Sequence, residues 1–163
     1  MNDSAALVAQ LADRLRTLGW RLACAESCTG GLIAAACTEL AGSSDWFERG
    51  VVSYSNAAKV ALLEVPQALL EACGAVSEPV ARAMAEGIAA RAKTHVGVGI
   101  TGIAGPGGGT PEKPVGTVVI AVTVNGETRV RTLKLFGGRE MIKFQSAQAA
   151  MNMLRLMMMK SSG

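Results

Sequence analysis

Short apolar segments alternate with segments of helical periodicity along the first 100 residues, and this alternation limits the possible folds more than any other feature. The apolar segments at 22–25, 50–54 and 96–100 are predicted to be strands, because each is short and lies next to turn or capping residues. Strands separated by helices pair in parallel, and the helices then cover both faces of the sheet. The sequence therefore predicts a layered α/β domain.

Two β-branched segments near the end of the chain, 115–124 and 128–135, indicate a different kind of pairing. They flank Asn125-Gly126, which favours a type I′ turn, so these two strands are predicted to form an antiparallel hairpin. A chain of 163 residues with 50% hydrophobic content is long enough for one buried core. The predicted fold class is α/β, a single three-layer α/β/α domain over residues 1–163 with a mixed, mostly parallel five-stranded sheet.

Capping residues or apolar spacings of three to four residues mark the predicted helices. The first helix and the long central helix lead directly into predicted strands, which favours packing of helices on a sheet. The predicted helices are one carrying Leu7 to Leu18, one at 31–37, a short one at 57–63 capped by Asn56, a segment restarted by Pro66, a long one opened by Ser77 with Val80, Met84, Ile88 and Ala92 on one face, and a last one at 139–159.

Composition and charge argue against several classes of function. A formal net charge of +3 with no run of Lys and Arg predicts neither a nucleic-acid partner nor a membrane partner, while a small anionic substrate stays open. Four cysteines without Cys-x-x-Cys spacing and a single histidine, His95, predict no metal site, and the cysteines are expected to be buried and reduced. No segment approaches the ~20 apolar residues of a membrane span and no leader pattern opens the chain, so a cytoplasmic location is expected.

The segment Ala-Glu-Ser-Cys-Thr-Gly-Gly at 25–31 carries the strongest chemical signal. It places Ser27 where a buried strand ends and a helix begins, so unpaired amides are available there to bind an anion. A hydroxyl in this position can attack a carbonyl carbon while the amides of Thr29, Gly30 and Gly31 stabilise the oxyanion. The alternative is that Ser27 or Thr29 only caps the helix.

Lys59 breaks a local rule, because a cation in the first turn of a helix is opposed by the helix dipole. A partly desolvated lysine has a lowered pKa, and its neutral amine can act as a general base toward a serine hydroxyl. Tyr54, five residues earlier, is placed to hydrogen-bond either group. The alternatives are a solvated surface lysine and a half-buried strand tyrosine. Because His95 is the lone histidine, Ser–Lys chemistry is favoured over a Ser-His-Asp triad and over Cys28 as nucleophile.

The low-complexity segment at 102–111 is rich in glycine and follows a predicted strand. Ligands bind at the carboxyl ends of strands in α/β sheets, so this loop is a candidate binding element. The alternative is a flexible surface connection, since the Lys-Ser/Thr ending of a phosphate-binding loop is missing.

Five short segments follow one another along the chain: Ala-Glu-Ser-Cys-Thr-Gly-Gly at 25–31, Ala-Gly-Ser-Ser at 41–44, Tyr-Ser-Asn-Ala-Ala-Lys at 54–59, Gly-Ala-Val-Ser at 74–77 and Thr-Gly-Ile-Ala-Gly-Pro at 101–106. Together they resemble the C-terminal domain family of the competence-damage-inducible protein CinA. The resemblance implies hydrolysis of the carboxamide of nicotinamide mononucleotide to give nicotinate mononucleotide and ammonia. It also implies a Ser–Lys amidohydrolase that uses no metal and no cofactor and is usually a homodimer.

The resemblance also implies roles for individual residues. Ser27 matches the nucleophile, Lys59 the catalytic lysine and Tyr54 the catalytic tyrosine. The substrate phosphate is expected on the glycine-rich loop with help from Arg139 or Lys143. The full set of implied substrate-binding residues is Thr29, Gly30, Gly31, Ser44, Thr101, Gly102, Gly105, Arg139 and Lys143.

The chain departs from the family pattern before the last helix. Gly-Gly-Arg-Glu at 137–140 stands where Gly-Asp-Arg is expected, and Lys143 stands at a later arginine position. The N-terminal domain of longer family members has no counterpart, so a stand-alone deamidase is expected. The alternative function is a non-catalytic nucleotide-binding or regulatory module, which needs the glycine-rich loop but not Lys59.

Overall fold

The computed structural model describes residues 3–160 as six α-helices and five strands with one short 3₁₀ turn. Helical segments alternate with the first three strands, as the sequence predicts, with three helices in succession before the third strand, and the two remaining strands follow one another. The elements are α1 (Asp3–Leu18), β1 (Leu22–Glu26), α2 (Leu32–Glu39), the 3₁₀ turn (Ser43–Asp45), β2 (Phe47–Val52), α3 (Asn56–Leu63), α4 (Gln67–Cys73), α5 (Glu78–Ala92), β3 (Val96–Gly102), β4 (Thr117–Val124), β5 (Glu127–Lys134) and α6 (Arg139–Lys160).

The five strands form one open sheet in the order β2-β1-β3-β4-β5. β1 lies in the middle of the parallel part, where it pairs in parallel with both β2 and β3. β4 pairs antiparallel with β3 and with β5, so β4 alone among these strands runs in the opposite direction. The predicted mixed, mostly parallel five-stranded sheet is confirmed.

Helices cover both faces of the sheet. Alternate side chains of β1 point to opposite sides, so Leu22 and Cys24 join one hydrophobic core while Ala23 and Ala25 join the other. The first core includes buried residues of α1, α2 and α6, and the second includes buried residues of α3, α4 and α5. The three-layer α/β/α arrangement is therefore confirmed.

Glycine in β3 lets α5 approach the sheet closely. A Cβ atom on Gly99 would lie 2.6 Å from the Ala85 nitrogen, so no larger residue fits at this position without a shift of the helix. The predicted apolar face of α5, with Val80, Met84 and Ile88, is buried in the second core together with Leu63 of α3. This packing holds α3 against the sheet next to the end of β1.

The hairpin between β4 and β5 is confirmed. Asn125 and Gly126 have positive φ values of 49° and 90°, as a type I′ turn requires. The first strand begins at Thr117, two residues later than predicted, because Gly116 has a φ of 95° and belongs to the preceding loop.

The boundaries of β2 and α3 differ from the prediction. β2 begins at Phe47, three residues before the predicted start at Gly50. The charged pair Glu48 and Arg49 hides the beginning of this edge strand in the sequence. The cap of α3 is Ser55 and not Asn56, since the Ser55 hydroxyl accepts a hydrogen bond from the Ala58 N–H at 3.0 Å.

Candidate active site

Ser27 follows β1 directly and lies at the carboxyl edge of the sheet between the ends of β2 and β3. Its N–H donates to the Ile100 carbonyl of β3 at 3.0 Å, and the Ser53 N–H, just after β2, donates to the Glu26 carbonyl at 2.8 Å. The peptide unit that joins Glu26 to Ser27 is therefore fixed to both neighbouring strands. This edge of parallel strands is where α/β domains bind ligands.

The Ser27 hydroxyl and the Lys59 amine form a buried pair. The two polar atoms, Oγ and Nζ, lie 3.2 Å apart, and their residues are only 7% and 1% exposed. The Lys59 Nζ also lies 2.9 Å from the Ser53 carbonyl oxygen and 3.4 Å from the Tyr54 carbonyl oxygen. The sequence prediction that these two residues meet is confirmed, and the alternative of a solvated surface lysine is wrong.

The three contacts of Lys59 fit both protonation states of its amine. An ammonium donates to the Ser27 hydroxyl oxygen and to the Ser53 and Tyr54 carbonyls, whereas a neutral amine donates to the two carbonyls and accepts from the Ser27 hydroxyl. Burial lowers the pKa of the Lys59 amine below its ordinary value of 10.5, while the Cys28 sulfur partly opposes this shift. The contact places the Lys59 amine where it can take the Ser27 proton, and the lowered pKa favours its neutral form.

Cys28 is a poor rival to Ser27 as nucleophile. Its side chain is 5% exposed, and burial raises the pKa of its thiol to about 12. A thiol with this pKa stays protonated near neutral pH, and the thiolate is the nucleophilic form. Cys24 and Cys37 are also buried free thiols, as predicted, whereas Cys73 is half-buried.

The turn from Ser27 to the start of α2 depends on two glycines in left-handed backbone conformations, with φ values of 60° at Gly30 and 107° at Gly31. The Gly30 N–H donates to the Ser27 carbonyl at 3.1 Å, so the predicted role of this amide toward an oxyanion is not supported. Within residues 3–160, the N–H groups of Thr29 and Gly31 donate no hydrogen bond and stay available, and the same holds for the N–H of Cys28.

Glu26 is a buried functional candidate that the sequence reasoning missed. The N-cap of α2 is Gly31, which has no side-chain cap, so the predicted alternative of Ser27 or Thr29 as helix cap is wrong. Instead the Glu26 carboxylate accepts from the Ile33 and Ala34 N–H groups, both at 3.0 Å. The signal in the sequence was a single acid inside an apolar strand.

Tyr54 and Arg139 form a bridge across the carboxyl edge of the sheet. One Arg139 nitrogen donates to the Tyr54 hydroxyl at 2.9 Å and the other to the Gly105 carbonyl at 2.7 Å. The Tyr54 side chain is 61% exposed, so the expected hydrogen bond from its hydroxyl to Ser27 or Lys59 is not formed. The physical reason is that β2 ends at Val52, which places Tyr54 beyond the strand and turned outward.

Lys143 and Thr101 lie near the same turn. The Lys143 Nζ is 3.6 Å from the point where a Cβ on Gly30 would lie, so its ammonium contacts the outer side of the turn. Thr101, next to the Ile100 carbonyl that binds Ser27, is 1% exposed. Gly102 packs against the turn as well, because a Cβ atom on it would lie 3.1 Å from the Cys28 sulfur.

Ser44 is placed elsewhere, which corrects the expectation that it lines this pocket. It lies in the 3₁₀ turn before β2, and its carbonyl accepts from Arg21, just before β1, at 3.1 Å. Because β1 and β2 are parallel, the start of β2 lies beside the start of β1. Within one chain, Ser44 therefore lies at the amino ends of these parallel strands, whereas Ser27 lies at their carboxyl ends.

The glycine-rich loop is fixed at Gly105, and the segment that follows it is fixed at Lys113. Besides the Arg139 bond to Gly105, the Lys113 amine donates to the Cys73 carbonyl at the end of α4, at 2.9 Å. The alternative of a flexible surface connection is therefore not supported for these anchored parts.

Two further features of the described chain bear on function. No group of three or more His, Cys, Asp and Glu side chains in residues 3–160 is arranged to hold a metal ion. No helix in the same residues is both long and apolar enough to cross a membrane.

Comparison with known proteins matches this chain to a family over nearly its whole length. The model of the CinA C-terminal domain matches residues 4–158. A CinA-like protein of Syntrophobacter fumaroxidans is 54% identical over 142 residues, which are 87% of this chain and 34% of that protein. A CinA-like protein of an Anaeromyxobacter species is 53% identical over 150 residues, covering 92% and 37% of the two chains. The chain thus spans about a third of the length of the curated relatives it matches.

Solved structures match the whole fold. Competence damage-inducible protein A from Klebsiella pneumoniae superposes with a TM-score of 0.95 at 34% identity, covering 99% of this chain and 100% of that one. A competence/damage-inducible protein from Agrobacterium tumefaciens superposes with a TM-score of 0.93 at 40% identity, covering 98% of each chain.

Proposed function

Because the chain belongs to the CinA C-terminal domain family, we propose that it is an amidohydrolase that converts nicotinamide mononucleotide to nicotinate mononucleotide and ammonia. The observation that carries the proposal is the buried Lys59 amine, 3.2 Å from the Ser27 hydroxyl at the carboxyl edge of the sheet. A desolvated amine in contact with a serine hydroxyl is an arrangement for nucleophilic catalysis.

In the proposed reaction the Ser27 oxygen attacks the carboxamide carbon while Lys59 accepts the hydroxyl proton. The tetrahedral intermediate collapses when Lys59 returns this proton to the amide nitrogen, so that the C–N bond breaks and ammonia leaves. Water then attacks the resulting ester on Ser27, again with Lys59 as the base. Release of the carboxylate product restores the hydroxyl and the neutral amine.

The oxyanion of the tetrahedral intermediate is assigned to the free N–H groups of Thr29 and Gly31. Both belong to the turn that begins at Ser27, and fixed backbone donors of this kind stabilise charge that develops only during reaction.

The phosphate of the substrate is assigned to Arg139 and Lys143. Within residues 3–160 neither side chain forms an ion pair with a carboxylate, and the hydrogen bonds of Arg139 go to neutral oxygens. Two uncompensated cations near a nucleophile favour an anionic substrate. Tyr54 is kept as a site residue through its hydrogen bond to Arg139.

Substitution of the two cations separates their roles. Arg139→Ala is expected to lower kcat/KM for nicotinamide mononucleotide roughly tenfold to a hundredfold, because one charge-assisted hydrogen bond is worth about 1.5 to 3 kcal/mol. Hydrolysis of nicotinamide riboside, which lacks the phosphate, should change little. Lys143→Ala is measured beside it with both substrates. If neither variant distinguishes the two substrates, the assignment of the phosphate to α6 is wrong.

A homodimer is part of the proposal, as the family resemblance implies. Large apolar side chains are exposed near the start of α6, among them Phe136 at 82% and Met141 at 52%. Such a patch suits a protein partner. Light scattering on the purified chain measures the association directly.

Ammonia release from nicotinamide mononucleotide tests the function itself. The assay is run with a chelator present, and we expect stoichiometric formation of ammonia and nicotinate mononucleotide. The second candidate, a non-catalytic nucleotide-binding module, predicts binding of the nucleotide without ammonia. The buried Ser27–Lys59 pair favours the enzyme, because nucleotide binding alone does not need a desolvated amine.

A further inference from the structure

Glu26 is held by an unusual set of contacts for a carboxylate next to a nucleophile. It is 1% exposed and forms no ion pair within residues 3–160. One oxygen accepts from the Thr29 hydroxyl at 2.6 Å and from the Ile33 N–H at 3.0 Å. The other accepts from the Ala34 N–H at 3.0 Å and lies 3.7 Å from the Cys24 sulfur. The buried charge is thus stabilised by neutral donors alone.

These contacts join the two ends of the turn that carries the proposed chemistry. Glu26 is the last residue of β1 and the neighbour of Ser27, whereas Ile33 and Ala34 belong to the first turn of α2. The Thr29 hydroxyl ties the middle of the turn to the same carboxylate. One side chain therefore fixes the start, the middle and the end of the segment.

The contacts also determine which amides stay free. The first N–H groups of a helix lack partners inside the helix and compete for any nearby anion. Glu26 occupies the Ile33 and Ala34 N–H groups, so an oxyanion cannot bind there and is left with the N–H groups earlier in the turn, those of Cys28, Thr29 and Gly31. Its carboxylate contacts Cys24 and the start of α2, which belong to the core on one side of the sheet, whereas Lys59 belongs to α3, whose core lies on the other side, and Lys59 is the residue bonded to the Ser27 hydroxyl.

We infer that Glu26 is a positioning residue, which holds the free N–H groups of Thr29 and Gly31 at a fixed place relative to the Ser27 hydroxyl. This inference rests on the proposed amide hydrolysis. Because the oxyanion forms only in the transition state, loss of this positioning lowers kcat and leaves KM nearly unchanged.

Two substitutions test the role. Glu26→Gln keeps the size of the side chain but places an amide NH₂ against N–H donors, and it is expected to lower kcat about thirtyfold or more with KM within about threefold. Thr29→Val removes only the hydroxyl bond to Glu26 and is expected to lower kcat about tenfold, whereas Thr29→Ser keeps the hydroxyl and restores kcat to within about threefold.

Thr38→Val is the matched control for the stability of α2. The Thr38 hydroxyl donates to the Ala34 carbonyl at 2.8 Å, so this substitution removes a hydroxyl hydrogen bond from the same helix, as Thr29→Val does from the turn, without touching the turn itself. This variant is expected to keep wild-type kcat even if its thermal midpoint falls. If Glu26→Gln lowers the thermal midpoint but keeps kcat within threefold, the role is only structural and the inference is overturned. If Glu26→Gln does not fold, equal kcat values for Thr29→Val and Thr29→Ser overturn it.

A fluorophosphonate probe separates this inference from the proposed function. The Ser27 oxygen forms a bond to phosphorus, fluoride leaves and Lys59 takes the proton, so labelling needs the turn but no nucleotide. If the wild-type chain releases no ammonia but labels at Ser27, and Glu26→Gln labels at least tenfold more slowly, the substrate is wrong and the inference stands. Equal labelling rates, or no labelling of the wild-type chain at Ser27, overturn it.

Discussion

Ser27→Ala is expected to lower the turnover of nicotinamide mononucleotide roughly a thousandfold or more while the substrate still binds. The substitution removes the attacking oxygen and very little surface, and loss of a catalytic serine reduces kcat by orders of magnitude in hydrolases. The Lys59 amine then keeps its two carbonyl partners but loses the hydroxyl. Turnover is measured from ammonia release and binding from calorimetry on the same preparation.

Cys28→Ala is the matched control for this experiment, because Cys28 is the next residue and is equally buried. Its thiol has a pKa raised to about 12 by burial, so it is expected to contribute little and turnover should stay within about threefold of the wild type. If Ser27→Ala keeps more than a tenth of the turnover and Cys28→Ala loses it, the nucleophile is Cys28 and not Ser27.

Lys59→Arg is expected to be about as inactive as Lys59→Met, with both losing roughly a thousandfold in kcat. A guanidinium stays protonated at any working pH and cannot accept the Ser27 proton, so positive charge alone does not replace the amine. Lys93→Met, a change of the same size at an exposed lysine, is the control and should keep full activity. An active Lys59→Arg enzyme would contradict the role of Lys59 as base.

The pH dependence gives a second measurement for Lys59. Burial lowers the pKa of this amine below 10.5, and only the neutral form accepts a proton. The value of kcat/KM for the wild type should therefore rise with pH as the amine loses its proton, at a pH below 10.5. The same rise should be missing from the residual activity of Lys59→Met.

The sequence predicted the pairing of Ser27 and Lys59 because both residues carried local signals. Ser27 stands at a strand-to-helix turn, and Lys59 stands where the helix dipole disfavours a cation. The structure shows that burial is the main cause of the lowered pKa of Lys59. A residue that breaks a local rule was thus a useful guide to the site, and desolvation, which the sequence analysis already invoked, is the larger cause of the shift.

Other parts of the site depend on contacts that no local pattern records. The direction of the Tyr54 hydroxyl is set by Arg139, which is 85 residues away. The position of Ser44 depends on the parallel register of β1 and β2, which places the segment before β2 at the far edge of the sheet. The role of Glu26 depends on a glycine N-cap at Gly31, which leaves the helix start without its own capping side chain.

The residues of the candidate site come from two separate stretches of the chain, and this separation affects how proteins of this fold can change their substrate. Ser27 and Lys59 are 32 residues apart and lie in one crossover unit, β1–α2–β2–α3, whereas Arg139 and Lys143 come from the first turns of α6. Closing a loop of this length costs about 3 kcal/mol in chain entropy, a modest amount that parallel pairing of β1 and β2 offsets. The bond-breaking pair and the cations proposed for substrate recognition are therefore encoded in separate stretches of sequence, so a change of substrate can arise in α6 while the crossover unit stays as it is.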